Sequence, residues 1–196
     1  MAKVKLNYNL PVSGETADLL DINIYDSISL ATNYGGYGYF DRNGGRIDGK
    51  YYPHVLDYSL SNSAGTYNLE FGGNVSYSIN NSYYPNYEVT GGVINHVRQT
   101  VNDYNNGLYA VFDITDASYD AKSFQKAANT KSNSDDLAIL KSMLSGDDSF
   151  DLYYEGNIKA YGYEGNDTFI VDSINGVDVI DGGPGSDSIS YNFNLS

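Results

Sequence analysis

The residues with the clearest chemistry are the aspartates of the C-terminal third. Gly146-Asp147-Asp148-Ser149-Phe150 is followed by Gly156-Asn157-Ile158-Lys159-Ala160 and by Gly162-Tyr163-Glu164-Gly165-Asn166-Asp167-Thr168-Phe169-Ile170. Then come Gly176-Val177-Asp178-Val179-Ile180 and Gly182-Gly183-Pro184-Gly185-Ser186-Asp187-Ser188-Ile189-Ser190. Each is a glycine-bearing turn that passes through one recurring position, acidic in four of the five, and reaches an apolar or small residue two places on. Glycine lets a tight turn take left-handed dihedrals and bare its carbonyls. Carboxylate and carbonyl oxygens are the hard donors that calcium takes. The recurring position holds Asp148, Ile158, Asp167, Asp178 and Asp187, at spacings of 10, 9, 11 and 9. If successive turns alternate between two edges, Asp148, Asp167 and Asp187 stack on one of them. That edge offers up to two sites, Asp148 with Asp167 and Asp167 with Asp187. The other edge has Ile158 where an aspartate is needed and holds no complete site. The candidate donors are therefore Asp148, Asp167 and Asp187, with Gly146, Gly162, Glu164, Gly165, Gly182, Pro184 and Gly185 of the same turns. Phe150, Phe169, Ile180 and Ile189, with Ala160, are expected to point inward as a narrow core.

Charge supports a cation as the partner. The net charge of −14 is concentrated in the last third, where residues 135–196 carry twelve acidic and two basic side chains. Nucleic acid is an unsuitable partner, because phosphate binding needs the opposite sign. With no cysteine and only two histidines, disulfides, thiolate metal sites and His-rich zinc sites are excluded. No apolar run is long enough to span a membrane. The N-terminal residues Met1 to Lys5 are charged without an apolar stretch behind them, which does not read as a cleaved secretory signal.

Elsewhere the sequence offers no H-E-x-x-H, no G-x-S-x-G and no phosphate-cradling loop, so the expectation is a protein that is not an enzyme. His54 with Asp57 reads as a surface hydrogen bond on a strand, and His96 as structural. Tyrosine is abundant, with 21 residues. Tyr51, Tyr52, Tyr83, Tyr84 and Tyr87 crowd two loops and would make a contact surface for an extracellular ligand or a cell surface.

The elements that must position these groups follow from periodicity. Residues 3–10 alternate as a strand. Ala17, Leu20, Ile24 and Ile28 recur at helical spacing, which predicts a helix over 16–28, capped by Thr16 or Ser13. Residues 31–50 read as a glycine-rich loop or hairpin. Short strands follow at about 54–60, 66–71, 74–79, 88–98 and 107–114, with a turn at Gly72-Gly73-Asn74, and predict an antiparallel sheet. Two helices come next. Ser118 caps the first, with Ala121, Phe124 and Ala128 on one side. Ser132-Asn133-Ser134 precedes the second, with Leu137, Leu140, Met143 and Leu144 apolar, and Gly146 ends it.

On the repeats quoted above, residues 132–191 resemble the RTX, or hemolysin-type calcium-binding, proteins. That resemblance implies a short parallel β-roll that folds on extracellular Ca2+. It also implies export by a type I system without an N-terminal signal peptide, hence an extracellular location. Tyr163 departs from the repeat in place of its second glycine, and Ile158 in place of an aspartate. The stretch Gly72-Gly73-Asn74-Val75-Ser76-Tyr77-Ser78-Ile79 resembles a strand of the bacterial hemophores, in which a tyrosine ligates haem iron. The resemblance implies Tyr77 as a haem ligand. The family's supporting histidine falls near Pro85 here, and the loop Ala31–Gly36 that supplies its other axial ligand has no histidine, leaving Tyr34 or Tyr37. The expected fold is an α+β N-terminal domain over 1–131, an antiparallel sheet with helices, followed over 132–196 by a helix and a short parallel β-roll of RTX type.

Overall fold

The structure is a computed structural model that describes residues 1–8, 16–18, 37–61, 65–79, 87–103, 107–128, 130, 132–154, 157–172 and 179–192. The strands are β1 (Lys3–Tyr8), β2 (Thr16–Asp18), β3 (Tyr37–Asp41), β4 (Gly45–Ile47), β5 (Lys50–Tyr52), β6 (His54–Ser61), β7 (Gly65–Ile79), β8 (Tyr87–Asp103), β9 (Gly107–Thr115) and β10 (Tyr119–Asp120). Helices α1 (Ala121–Ala128) and α2 (Asn133–Met143) follow. The chain continues with β11 (Ser149–Tyr154), β12 (Asn157–Tyr161), β13 (Thr168–Val171), β14 (Val179–Asp181) and β15 (Ser188–Tyr191).

These elements correct the expected fold class. The described residues are mostly strand, with two short helices, and do not form an α+β domain followed by a β-roll. The principal sheet is mixed and runs β15-β13-β11-β1-β9-β8-β7-β6-β3, with β10 pairing onto β8. The reason is the double use of β1. One edge pairs antiparallel with β9, Val4 opposite Ile114. The other pairs parallel with β11, Val4 opposite Phe150. The C-terminal strands thus extend the same sheet. A smaller parallel sheet, β14-β12-β2, lies beside it, and β4 and β5 form a separate hairpin.

Two local readings also change. Thr16–Asp18, expected to open a helix, is a strand held parallel to Asn157–Lys159; residues 19–28 lie outside the described residues. Gly72-Gly73 is not a turn. It is a bulge in the single strand β7, where the register against β8 shifts. A Cβ on Gly73 would strike the Val93 carbonyl, so the glycine serves a close approach of two strands. The hairpin expected between 31 and 50 turns at Asp48 (φ 47) and Gly49 (φ 79), the left-handed pair of a tight two-residue turn.

The core is continuous from the sheet into the stacked strands. Ala121, Phe124 and Ala127 form the buried stripe of α1, and Phe124 meets Phe71 edge-on at 4.5 Å. The cap of α1 is Asp120, not Ser118, since its carboxylate accepts the Ser123 N–H at 2.7 Å. On α2, capped by Ser132, the buried face is Ile139, Leu140, Met143 and Leu144, with Leu137 half-buried. Phe150 and Phe169 are buried and stack at 4.5 Å, each worth about 1.5–3 kcal/mol of apolar transfer. Ala160 is buried and Ile180 partly so, as their pattern predicted, whereas Ile189 on the last strand is 46 % exposed because no described strand covers it.

Candidate metal centre

Parallel register stacks the turns that precede β11, β13 and β15. Asp148, Asp167 and Asp187 come together there. The Asp148 N–H donates to Asp167 Oδ1 at 2.8 Å, and the Asp167 N–H to Asp187 Oδ1 at 3.0 Å. Asp148 Oδ1 in turn accepts the Ala2 N–H at 2.5 Å. Each carboxylate therefore spends one oxygen on the backbone of the neighbouring turn. The other oxygen is treated differently. Oδ2 of Asp148 and Oδ2 of Asp167 are buried with no hydrogen-bond partner among the described residues, on residues only 2 % and 1 % exposed. Asp187, on the outermost turn, is exposed.

The glycines allow the backbone of neighbouring turns to approach these oxygens closely. A Cβ on Gly162 would collide with Asp167 Oδ2 and come within 2.7 Å of the Gly182 carbonyl oxygen, so only glycine lets these two oxygens approach the backbone there. A Cβ on Gly182 would meet the Asp187 carboxylate in the same way. Gly183 (φ 81) closes against the Tyr163 carbonyl, and Tyr163 itself holds a left-handed φ of 66 at the matching position of the previous turn. The ring of Tyr163 lies beneath the Lys141 ammonium of α2 at 5.8 Å. Of the other expected donors, Gly146, Glu164, Pro184 and Gly185 lie on exposed turn positions and Gly165 is half-buried; the Pro184 carbonyl already accepts the Gly165 N–H at 3.2 Å. On the second edge, Ile158 is buried inside β12, and Asp178 lies outside the described residues.

Electrostatics marks the same two carboxylates. Burial pushes Asp148 up to about 6, with the neighbouring Asp167 charge adding to it and the Ala2 N–H opposing it. Burial likewise raises Asp167, helped by the Asp187 charge. A desolvated carboxylate with an open oxygen is stabilised by a proton or by a cation. Hard oxygens from one carboxylate per turn, beside a bared carbonyl, are donors of the kind calcium takes. Among the described residues no three His, Asp or Glu side chains converge on one point. The residues of the stack fit a divalent cation held by single carboxylates and carbonyls; Asp167 with the neighbouring Gly182 carbonyl would hold it, and Asp148 offers the second such carboxylate one turn inward.

Sequence reasoning missed a second hydrogen-bonded string beside the first. Asp147 Oδ1 accepts the Asn166 N–H at 2.8 Å and its Nδ2 at 3.1 Å, and Asn166 Oδ1 accepts the Ser186 N–H at 2.9 Å. The signal was present: each of these residues directly precedes an aspartate of the ladder.

In the antiparallel part, Tyr77 is half-buried on β7, and its ring meets that of His54 edge-on at 5.6 Å. His54 Nδ1 accepts the Val75 N–H at 3.1 Å. Tyr34, Tyr83, Tyr84 and Pro85 lie outside the described residues, as do the side chains of Tyr37 and Tyr87. Tyr51 is exposed, but Tyr52 is buried and belongs to no contact surface. Its hydroxyl is hydrogen-bonded to His96 Nδ1 at 2.8 Å, and His96 Nε2 to Asp113 Oδ1 at 2.5 Å. Arg98 stands 3.7 Å from the other Asp113 oxygen. His96 is thus the centre of a buried network whose members the sequence did not connect.

Comparison of the chain with protein-family models, with curated proteins and with solved structures gave no match. No helix among the described residues is long and apolar enough to cross a membrane.

Proposed function

We propose that this is an exported, non-enzymatic calcium-binding protein. Its aspartate stack takes up Ca2+ outside the cell, and its antiparallel sheet carries a surface for an extracellular ligand. The observation that carries the reading is the pair of buried, open oxygens on Asp148 and Asp167. The repeat pattern of residues 146–190 and its likeness to RTX proteins support the same ion and a type I route of export. The ion would neutralise the stacked carboxylates; the chain's own part is to hold Oδ1 of each aspartate on a backbone amide, so that Oδ2 is left free. A thermal melt in EDTA and in millimolar calcium tests this. Saturation at a hundred times the dissociation constant adds about 2.7 kcal/mol and a rise in Tm of several degrees. Identical melts in calcium, magnesium and EDTA would end the reading.

A second reading has one observation in its favour. The contact between Tyr77 and His54 places a histidine beside the tyrosine, whereas the hemophore family's supporting histidine falls near Pro85 in this sequence. Haem bound through Tyr77 is expected to shift the Soret band of haemin on titration, and Tyr77→Phe to abolish the shift. A spectrum identical to free haemin removes this reading and leaves the calcium one untouched.

A further inference from the structure

Strand β1 repeats the register and the aspartate-ladder bonds that the C-terminal strands make with one another. Lys3 pairs with Ser149, Ser149 with Thr168, and Thr168 with Ser188, all in parallel register. One residue earlier, Ala2 therefore stands in line with Asp148, Asp167 and Asp187. One residue later, Val4 stands in line with Phe150, Phe169 and Ile189, and Val4 is fully buried like the two phenylalanines. The backbone bonds repeat as well. Ser188 N–H donates to Asp167 O at 2.8 Å, Thr168 N–H to Asp148 O at 2.9 Å, and Ser149 N–H to Ala2 O at 3.1 Å. So do the side-chain bonds, in which Asp187, Asp167 and Asp148 each accept the amide of the residue one turn inward, ending on Ala2. Strand β2 does the same for the smaller sheet. Thr16–Asp18 pairs parallel with Asn157–Lys159, as Lys159–Tyr161 pairs with Val179–Asp181.

We infer that β1 and β2 are the first coil of the stack, contributed from the far end of the sequence, and that β1 couples cation uptake in the stack to the order of the antiparallel sheet. Ala2 holds the aspartate position of this coil. It offers the amide that Asp148 accepts but brings no carboxylate, so it ends the acidic string without adding charge. The outer edge of β1 is bonded to β9, with Lys5 opposite Asp113, the residue that holds His96. The sheet is then the template on which the glycine-rich turns order, and whatever tightens those turns tightens β1. Coupling of this kind is reciprocal: loosening β1 weakens the cation by the factor with which the cation tightens β1. The cation-dependent half of the inference rests on the calcium reading; the structural half does not.

Amide hydrogen exchange of the full chain, read by mass spectrometry through a calcium titration from EDTA, tests both halves. Residues 2–8 and 107–115 are expected to slow by about tenfold or more, with the same calcium midpoint as residues 148–154. Slowing of 148–154 with no change in 2–8 overturns the coupling. If calcium slows neither segment, the calcium reading fails, and the shared coil is decided in the cation-free protein. There Val4→Ala must speed exchange of 149–154 by about tenfold or more, while Val55→Ala, in the separate apolar cluster with Ile47 and Tyr52, leaves it unchanged. Exchange of 149–154 indifferent to Val4→Ala overturns the shared coil. If the alanine variant does not fold, Val4→Thr serves the same comparison.

Discussion

Asp113 in the antiparallel sheet and Asp148 in the stacked turns are both buried, at 6 % and 2 % exposure, and the two regions neutralise their carboxylates by opposite means. Around Asp113 every charge is answered from within the chain, by His96 on one oxygen and Arg98 on the other, with Tyr52 holding the imidazole from behind. Around Asp148 the chain supplies one backbone amide, and the charge that acts on it most strongly is another carboxylate. A buried charge without a partner is costly, and the group raises its pKa to escape it. Both Asp113 oxygens thus face a basic side chain, whereas Oδ2 of Asp148 has no partner among the described residues. The two burials of the same side chain type differ in whether the second oxygen has been answered.

The largest test of that contrast is in the sheet. His96→Ala removes the Asp113 partner and the hydrogen-bond partner of Tyr52, and is expected to cost about 3–5 kcal/mol in urea unfolding, undiminished by calcium. A cost below about 1 kcal/mol would mean that the network does not hold the sheet. Next is Asp148→Asn. The amide oxygen still accepts the Ala2 N–H, and the buried charge is gone, so the cation-free protein at neutral pH is expected to gain about 1–3 kcal/mol and its calcium response to shrink. A loss of stability would show that the carboxylate is already compensated. The wild-type pH profile reads the same group. Its pKa rises from 3.8 to about 6 on folding, so between these values the folded form binds the extra proton. Stability of the cation-free protein must then rise as pH falls through that window, and fall as pH rises through it. Saturating calcium, or Asp148→Asn, should flatten the slope. The smallest effect belongs to the surface. Asp116, held at about 2 by Lys50 and Lys3, is exposed and already solvated. Asp116→Asn is expected to cost less than about 1 kcal/mol, and nothing in high salt.

The acidic edge was legible because its signal is local. Glycine, then aspartate, then an apolar residue recur with a period short enough to read, and the stacking of Asp148, Asp167 and Asp187 follows once successive turns alternate between two edges. The pairing of β1 with β11 was not legible. Val4 and Phe150 lie far apart in sequence, and nothing in the alternation of Val4 and Leu6 says which strand will take the second edge. That pairing is what merges two expected domains' worth of strands into one sheet. Gly72-Gly73 misled for a physical reason: glycine permits a turn and equally a close strand approach, and only the partner strand decides which. The same holds for Tyr52 and Asp113, whose meeting at His96 depends on a hairpin folding back over the sheet.

Strand β15 has a consequence for how the protein behaves in bulk. Its sequence Ser-Ile-Ser-Tyr has no lysine, proline or other gatekeeper, Ile189 and Tyr191 are half in solvent, and among the described residues no strand pairs with its outer side. Such an edge is an invitation to polymerise. Mutual repulsion from a net charge of −14 opposes that association. Colloidal stability is therefore expected to fall as salt screens that repulsion.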